Sequence, residues 1–331
     1  MGAVWIGVSR LLASVCAAFV LLVALAGCTV NPPRFEPEET AGLPAQAELT
    51  QVPFFPQKQY QCGPAALATV LRSSDAAGTP DDLVNEVYLP GRKGSLQVEL
   101  VAAARMRDRV VYEVSRDLPS LLHQVAAGSP VLVMQNLGVK VIPIWHYAVV
   151  VGYDLDAGTL VLRSGTTERR VMGMRRFMST WNRAQRWALV VLEPGQLPAG
   201  AQLDRYVAAA AGLEAVGRLA AAGQAYARAH EQWPDSAWPQ LGLANVSYRR
   251  GDRQAAEGGY LATLALDPRN VVAHNNLAEI LSDRGCVSQA RAHAERAAAL
   301  AKGTALEAAV AATAQHVAGA TAADSGVSCP P

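Results

Sequence analysis

The stretch QYQCGPAALATVL, residues 59–71, places a cysteine directly before Gly-Pro at the start of an apolar segment. The spacing of the apolar residues predicts a helix over residues 63–74 that is buried along one face. Pro64 suits the first helical turn, where its missing N–H costs nothing, and Gly63 lets a neighbouring backbone approach closely. Cys62 would lie at the helix N-terminus, where unpaired N–H groups and the helix dipole favour negative charge. We therefore expect either a packing residue or a nucleophilic thiol with a lowered pKa.

A cysteine nucleophile also needs a base within hydrogen-bond reach. The domain around Cys62 contains two histidines. His123 lies in LPSLLHQVAA, residues 118–127, whose pattern predicts a helix, and a position on the helix surface explains it. His146 opens the apolar run HYAVVVGY, residues 146–153, which is typical of a buried strand. His146 is therefore the better candidate for the base.

Three glutamines precede the cysteine, and one of them is a candidate for stabilising an oxyanion. Attack of a thiolate on a carbonyl places negative charge on oxygen, which needs hydrogen-bond donors. The backbone N–H of Cys62 would supply one donor. The side-chain amide of Gln57, a few residues upstream, could fold back beside the thiol and supply another. Gln59 and Gln61 also precede the thiol, and exposure explains Gln61 equally well.

Residues 52–194 combine early helices with later strands. The helix over residues 118–127 has Asp117 as a plausible N-cap and Gly128 as its stop. The β-branched runs that predict strands are Val131–Met134, Tyr147–Tyr153, Thr159–Leu162 and Trp187–Leu192. Turn residues separate these runs. Helices followed by antiparallel strands indicate an α+β domain.

Two blocks in this domain carry a family resemblance: VPFFPQKQYQCGPAALATVL, residues 52–71, and WHYAVVVGYD, residues 145–154. In this order they resemble the papain-like cysteine peptidase domain that trims double-glycine leader peptides from bacteriocins, and its stand-alone relatives. The resemblance covers residues 52–194 and implies a papain-like α+β fold. It also implies that Cys62 is the nucleophile, His146 the general base and then acid, and Gln57 the oxyanion donor.

The sequence departs from this family at the third catalytic position. The family usually places an aspartate at the end of the strand that follows the histidine strand, and Ser164 stands near that place here. Asp154 and Asp156 lie in the preceding turn, where such residues usually serve the turn itself. A serine can accept from the imidazole N–H but stabilises imidazolium less than a carboxylate does. The resemblance therefore leaves open an activity that is weak, specialised or absent.

The context departs from the family as well. Members that cut double-glycine leaders are usually fused to an export ATPase, and no Gly-x-x-x-x-Gly-Lys-Ser/Thr phosphate loop occurs in this sequence. The same leader substrates are therefore not expected.

Residues 201–318 repeat a pattern with a period of about 34 residues. Gly217, Gly251 and Gly285 recur at this period, and proline recurs at the ends of units. Small residues at helix crossings and a closing proline resemble tetratricopeptide repeats, in which each unit buries its apolar face against its neighbours. Residues 237–270 form the best unit. The resemblance implies an all-α array that binds a protein or peptide, with an unrelated helical bundle as the alternative.

Residues 1–27 are typical of an export signal whose short apolar run ends in small residues. Leu-Ala-Gly-Cys, residues 25–28, resembles a bacterial lipobox, which implies cleavage before Cys28 and lipidation of its thiol. Because Thr29 rather than aspartate follows, the resemblance favours an outer-membrane lipoprotein that faces the periplasm. Residues 28–51 are polar and rich in Pro and Glu, so they predict a flexible tether. The alternative is a transmembrane anchor that ends in an ordinary cysteine.

Export would place the remaining cysteines in an oxidising compartment. Cys62, Cys286 and Cys329 allow one disulfide and one free thiol. Because Cys286 and Cys329 share the C-terminal region, we expect these two to pair and to leave Cys62 free.

Composition and motifs disfavour several other functions. The net charge of +1 gives no case for nucleic acid or for a polybasic membrane patch. No Cys-x-x-Cys, His-x-x-x-His or glycine-rich dinucleotide fingerprint occurs, so we expect no metal and no cofactor. The arginines of residues 169–176 are explained as a solvated face or turn, with contact to an acidic partner as the alternative.

The sequence thus predicts a lipid-anchored thiol peptidase with a peptide or protein substrate and a protein partner on the repeats. Two alternatives stay open. One is a peptidase-like binding or scaffold lipoprotein with weak or no catalysis. The other is a thiol acyltransferase that uses the same Cys–His pair.

Overall fold

The computed structural model describes residues 35–36, 38–320 and 329. The expected export signal, the lipobox with Cys28 and the first part of the expected tether lie outside the described residues. Within these ranges, none of the helices has the length and apolar character needed to cross a membrane.

The first domain contains seven strands and five α-helices within the described residues. The strands are β1 (Gln46–Glu48), β2 (Val110–Glu113), β3 (Val131–Asn136), β4 (Trp145–Asp154), β5 (Thr159–Ser164), β6 (Thr167–Gly173) and β7 (Ala188–Leu192). The helices are α1 (Cys62–Ser73), α2 (Pro80–Val87), α3 (Gln97–Arg105), α4 (Leu118–Ala126) and α5 (Met174–Asn182). A short 3₁₀ helix, Pro90–Arg92, lies between α2 and α3.

The strands form one antiparallel sheet in the order β2-β7-β3-β4-β5-β6. β4 is the longest strand and lies at the centre. β3 pairs with the first half of β4, from Asn136–Trp145 to Val131–Val150. β1 pairs with the last residues of β4, where β3 no longer runs beside it.

Helices cover both faces of the sheet, because side chains on a strand alternate between faces. Tyr147, Val149 and Val151 of β4 pack against α1, α2 and α3 on one face. Ala148 and Val150 pack against α4 and α5 on the other face. A strand buried on both sides reads as a continuous apolar run, which is why β4 stands out in the sequence.

The helices expected near Cys62 and over residues 118–127 are confirmed with small changes of their ends. α1 begins at Cys62 and buries every residue from Gly63 to Leu71. α4 has Asp117 as its N-cap, and the carboxylate accepts from the backbone N–H of Ser120 at 2.7 Å.

One of the expectations is corrected. The later part of the tether, predicted as flexible up to residue 51, joins the domain: β1 pairs with β4, and Tyr153 Oη donates to the carbonyl of Pro44 at 3.2 Å. The open edge at the end of β4 supplies backbone partners that composition does not reveal. The arginine-rich stretch lies on β6 and α5, where Arg169, Arg175 and Arg176 are exposed, as expected of a solvated face, while Trp181 is fully buried.

Seven consecutive helices follow the sheet domain and form a helical repeat array. They are α6 (Leu203–Ala215), α7 (Leu219–Gln232), α8 (Ala237–Arg249), α9 (Arg253–Leu266), α10 (Val271–Asp283), α11 (Val287–Ala301) and α12 (Glu307–Ala318). The recurring glycines Gly217, Gly251 and Gly285 follow α6, α8 and α10 with positive φ angles of 77°, 81° and 81°. A left-handed residue at this place ends one helix and lets the next fold back beside it.

The array packs against the sheet face that carries α4 and α5. Tyr206 of α6 is fully buried in the core of that face, and its hydroxyl oxygen lies 3.0 and 2.7 Å from the carbonyl oxygens of Pro194 and Gln196, to which its one hydrogen can donate. At the other end of the array, a disulfide joins Cys286 to Cys329. Cys62 is the free cysteine of the described part of the chain.

Candidate active site

Cys62 lies where two strands separate. β5 runs beside β4 only as far as the pair Val149–Arg163. The first residues of β4 therefore have a free backbone edge on that side, and the N-terminus of α1 meets it. The backbone N–H groups of Tyr147 on β4, of Gly63 and of Cys62 itself act on the thiol and lower its pKa.

The direction of the thiol pKa differs from the sequence expectation. Burial raises the pKa of Cys62, and this effect exceeds the lowering by the three backbone N–H groups. A helix N-terminus favours the thiolate, but removal from water disfavours any charged form. The prediction of a lowered thiol pKa is therefore wrong for the structure without substrate.

His146 is a buried residue near the start of β4, with 8% of its surface exposed. Its Nε2 atom lies 2.8 Å from the hydroxyl oxygen of Ser164. Burial lowers the pKa of His146 to about 4, with a further contribution from the charge of Arg170. Within the described residues, no hydrogen bond joins His146 to the Cys62 thiol.

Ser164 is the last residue of β5 and is 5% exposed. It occupies the place where the family resemblance implies an aspartate. When Nε2 of His146 carries the proton and donates to Ser164, Nδ1 keeps a lone pair that can accept a thiol proton. When the hydroxyl donates instead, Nδ1 carries the proton. A carboxylate, which only accepts, would select the first tautomer, whereas a hydroxyl permits both.

Gln57 lies beside the same strand end. Its backbone N–H donates to the carbonyl of Gly165 at 3.1 Å, which ties the segment before α1 to the turn after β5. Gln57 and Cys62 line one groove with His146, Tyr147 and Gly165. Gln57, Cys62 and Ser164 also line a small adjoining recess. Of the other two glutamines, Gln59 is exposed and Gln61 is the N-cap residue of α1.

The groove has a cavity volume of about 1010 Å³. It lies between the β3–β4 hairpin, the start of α1 and the connection from α2 to α3. The structure therefore brings Cys62, His146 and Gln57 to one groove and places Ser164 directly behind the histidine. His123 lies away from it, near the carbonyl of Glu39.

Several residues that shape this site escaped the sequence analysis. Tyr147 supplies a backbone N–H to the thiol, and its hydroxyl donates to the carbonyl of Ser95 at 3.2 Å. Arg170 of β6 lines the groove, and its positive charge lowers the pKa of His146. Gln135 faces His146 across β3 and β4 and donates to Thr180 at 2.6 Å. These contacts depend on the register between strands that are distant in sequence, so no local sequence motif predicts them.

A cysteine at a helix start and a histidine on a strand of the neighbouring sheet, sharing one groove, form the layout that the resemblance to papain-like cysteine peptidases implies. The first domain has this layout. Residues 49–189 match the model described as the Peptidase_C39 like family. This part of the chain thus has a C39-like fold, followed by the helical array. No curated protein matches the chain.

Three solved structures show similarity to parts of the chain. A protein from Bacillus anthracis described as a C39-like peptidase is 17% identical with a TM-score of 0.38, covering 44% of this chain and 97% of that one. The Yersinia enterocolitica type III secretion chaperone SycD, in complex with a peptide of the translocator YopD, is 17% identical with a TM-score of 0.32, covering 35% and 92%. MamA is 14% identical with a TM-score of 0.29, covering 35% and 68%. Such low scores carry no inference about activity.

Proposed function

We propose that this protein is a cysteine peptidase that hydrolyses a peptide bond through a thioester on Cys62. The observation that carries the proposal is the shared groove lined by Cys62, by Gln57 and by His146, a buried histidine with a hydroxyl partner. The match of residues 49–189 to the Peptidase_C39 like family supports the same class of reaction.

In this mechanism His146 Nδ1 accepts the proton of the Cys62 thiol as sulfur attacks the carbonyl carbon of the substrate. The Gln57 amide and the Cys62 backbone N–H stabilise the negative charge that develops on the carbonyl oxygen. The C–N bond then breaks, and the imidazolium returns its proton to the leaving amine. Water attacks the thioester, His146 takes one of its protons, and the thiol leaves with that proton.

The pKa shifts specify when the proton moves. Burial raises the pKa of Cys62 and lowers that of His146, so the resting pair is a neutral thiol beside a neutral imidazole. These shifts disfavour a thiolate–imidazolium ion pair before substrate binds. Proton transfer must therefore accompany the attack of sulfur, as in general-base catalysis.

The cellular setting belongs to the same proposal. Residues 25–28 have the lipobox pattern, so we place the mature protein in the outer membrane, held by a lipid on Cys28 and facing the periplasm. The array, with its 34-residue tetratricopeptide pattern, would bind a protein partner or the substrate itself.

The test is cleavage by the full chain purified in detergent. The protein is incubated with a peptide mixture, and mass spectrometry identifies new N-termini and any thioester on Cys62. We expect cleavage by the wild type, loss of cleavage in Cys62→Ala and in His146→Ala, and retention in His123→Ala, a histidine outside the groove. Absence of both cleavage and thioester would reject the proposal. Preferential incorporation of an added amine at the new C-terminus would identify an acyltransferase.

A second candidate function is binding without turnover. The hydroxyl of Ser164 in place of a carboxylate and the neutral resting pair favour it. In that case the groove would capture a segment of a partner protein, and Cys62→Ala would bind as well as the wild type does.

A further inference from the structure

The side chains around the groove carry an unbalanced charge. Three cationic residues line it: Arg92 and Lys93 from the α2–α3 connection, and Arg170 from β6. No aspartate or glutamate of the described chain lines the groove. Over the whole chain, by contrast, basic and acidic side chains nearly balance, with a net charge of +1.

These cations also lack the ion pairs that some other basic residues of the domain form. Arg107 forms an ion pair with Glu86 at 2.7 Å, and Arg169 with Glu48 at 2.8 Å. In the described part of the chain, the guanidinium groups of Arg92 and Arg170 have no ion pair or hydrogen bond. Arg170, beside Arg169 in sequence, instead acts on His146. Unpaired charges of one sign around a groove produce a strong electrostatic potential in it, which attracts a ligand of opposite charge.

The α2–α3 connection holds its two cations in a defined place. The backbone N–H of Leu89 donates to the carbonyl of Gly94 at 2.8 Å and closes the turn. Lys93 has a left-handed backbone with a φ angle of 48°, a conformation that costs conformational energy for residues other than glycine. Its ammonium lies 5.7 Å from the centre of the Tyr60 ring, and Tyr60 lines the groove as well. These contacts hold the turn in a defined conformation.

An apolar surface from the β3–β4 hairpin lies along the same groove. Leu137, Ile144 and Trp145 line it, and Ile144 and Trp145 leave 57% and 52% of their surfaces exposed. The hairpin is braced from within, since Asn136 Oδ1 accepts from the backbone N–H groups of Gly138 and Ile144, both at 3.0 Å. Large apolar side chains that are exposed to solvent and fixed by a braced hairpin are typical of a binding surface.

We infer that the groove selects a polypeptide segment in which acidic residues lie next to apolar ones. The inference rests on the proposed peptidase function and specifies its substrate class. The carboxylates would meet Arg92, Lys93 and Arg170, and the apolar side chains would pack on Leu137, Ile144 and Trp145. A cavity of about 1010 Å³ accommodates several residues of an extended chain.

The occupant is a polypeptide rather than a small anion because of where the charges lie. The cations come from two separate elements of the fold, and the thiol and the apolar hairpin line the same groove. A ligand must be extended to meet all of these, with a cleavable bond over Cys62. An acidic residue near that bond would also offset the charge of Arg170, which lowers the pKa of His146, and so would make the histidine a stronger base.

Binding to the full-length Cys62→Ala protein in detergent separates recognition from cleavage. Three fluorescein-labelled peptides share one apolar backbone of Leu, Ile and Ala and carry Asp and Glu, Asn and Gln, or Lys and Arg at the alternate positions. We expect the acidic peptide to bind about tenfold more tightly than the neutral one by fluorescence anisotropy, with the basic peptide weakest. The difference should shrink as salt is added.

Charge reversal supplies the decisive comparison. Adding Lys93→Glu and Arg170→Glu should abolish the preference for the acidic peptide and favour the basic one. Arg175→Glu and Arg176→Glu, two exposed arginines of α5 that do not line the groove, make the matched control and should keep the original order. Equal binding of the three peptides, no binding of any, or the same reversal in the control pair would each overturn the inference.

The proposed function can fail separately. Wild-type protein is incubated with the acidic peptide and hydrolysis is measured by mass spectrometry. Selective binding without hydrolysis would keep the inference about recognition and reject the peptidase. Hydrolysis of the three peptides at the same kcat/KM would keep the peptidase and reject the selectivity.

Discussion

A single hydroxyl decides how well the candidate base can work. His146 can accept the thiol proton only when its other nitrogen, Nε2, carries a proton and donates it to Ser164. Serine can also donate to that nitrogen, and it places no negative charge beside an imidazolium. At the residue scale, then, position 164 controls both the tautomer and the charge state of the histidine.

We predict that Ser164→Asp raises catalytic activity. A carboxylate next to Nε2 would fix the productive tautomer and raise the pKa of His146 from about 4 toward the operating pH. We expect kcat/KM to increase by about tenfold or more, given the large effect of the corresponding carboxylate in catalytic triads. Steady-state kinetics with a cleaved peptide measures it. Ser179→Asp, on the exposed side of α5, is the control for an added carboxylate. Unchanged or lower activity in a folded Ser164→Asp protein would contradict this account.

The buried histidine also predicts a pH dependence of stability. In the unfolded chain His146 has the ordinary pKa of about 6.5, while in the fold its pKa is about 4. Between these values the unfolded state binds the proton and the folded state does not. The stabilising contribution is therefore complete above about pH 6.5 and is lost as pH falls through about 4. We expect about 3 kcal/mol of extra destabilisation between pH 7 and pH 4.

Urea unfolding of the wild type and of His146→Gln at several pH values measures that loss. The glutamine variant does not titrate, so its stability should fall less steeply between pH 7 and pH 4. Parallel slopes for the two proteins would show that the folded His146 titrates near its ordinary pKa.

At the scale of elements, helix α1 depends on close contact with the segment before α3. A Cβ atom on Gly63 would lie 2.3 Å from Oγ and 2.6 Å from Cβ of Ser95. Distances this short require the helix start or the serine to move. Because Cys62 precedes Gly63, such a movement would displace the thiol from the N–H of Tyr147.

We predict that Gly63→Ala destabilises the protein by about 1–3 kcal/mol, as overpacking does, and lowers activity. Ser95→Gly removes both atoms that the new methyl group would meet. It removes no side-chain hydrogen bond, since Ser95 Oγ is buried without a partner among the described residues. The double variant should therefore recover most of the activity that Gly63→Ala loses. Thermal melts and kinetics on the four proteins of this cycle check the coupling. Additive losses in the double variant would mean that the two residues do not press on each other.

Local sequence patterns predicted the helices and strands whose apolar residues recur with a regular period or form a continuous run. α1, α4 and β4 have continuous apolar faces, and Asp117 caps α4 as expected. β6 was missed because its residues Thr167 to Val171 are mostly exposed and polar. The sequence motifs predicted that Cys62, His146 and Gln57 lie close together, and in the structure the three residues line one groove. The roles of Arg170 and of the Tyr147 N–H depend on strand register, and the thiol pKa depends on burial, so neither could be read from spacing.

At the scale of the whole molecule, the array and the sheet domain share a core. Tyr206, Ala210 and Leu213 of α6 are buried in the same cluster as Tyr112 and Leu192 of the sheet. On the far side of this contact, a Cβ on Gly212 of α6 would lie 2.4 Å from the guanidinium of Arg105, the last residue of α3. The array is therefore docked on the domain. A partner held by the first helices of the array would have a fixed position relative to the sheet.

This shared core predicts that the two parts unfold together when their contact is weakened. Tyr206→Ala would leave a cavity in the core and remove the donor from the carbonyls of Pro194 and Gln196. We expect a loss of about 3–5 kcal/mol, with the near-ultraviolet signal of the sheet domain and the far-ultraviolet helical signal shifting to the same lower temperature.

Tyr260→Ala is the matched control, because Tyr260 is also fully buried but lies in the separate core of the later helices, α8 to α12. This change should lower the unfolding temperature of the helical signal and leave the sheet signal nearly in place, since no residue of the sheet shares that core. Circular dichroism melts of the wild type and the two variants, with the aromatic and the backbone signals recorded on the same sample, make the comparison. If Tyr206→Ala shifts only the helical signal, the array is an independent unit that merely rests on the sheet. If both signals shift together only in Tyr206→Ala, the first helices of the array are part of the fold that holds Cys62 and His146 in one groove.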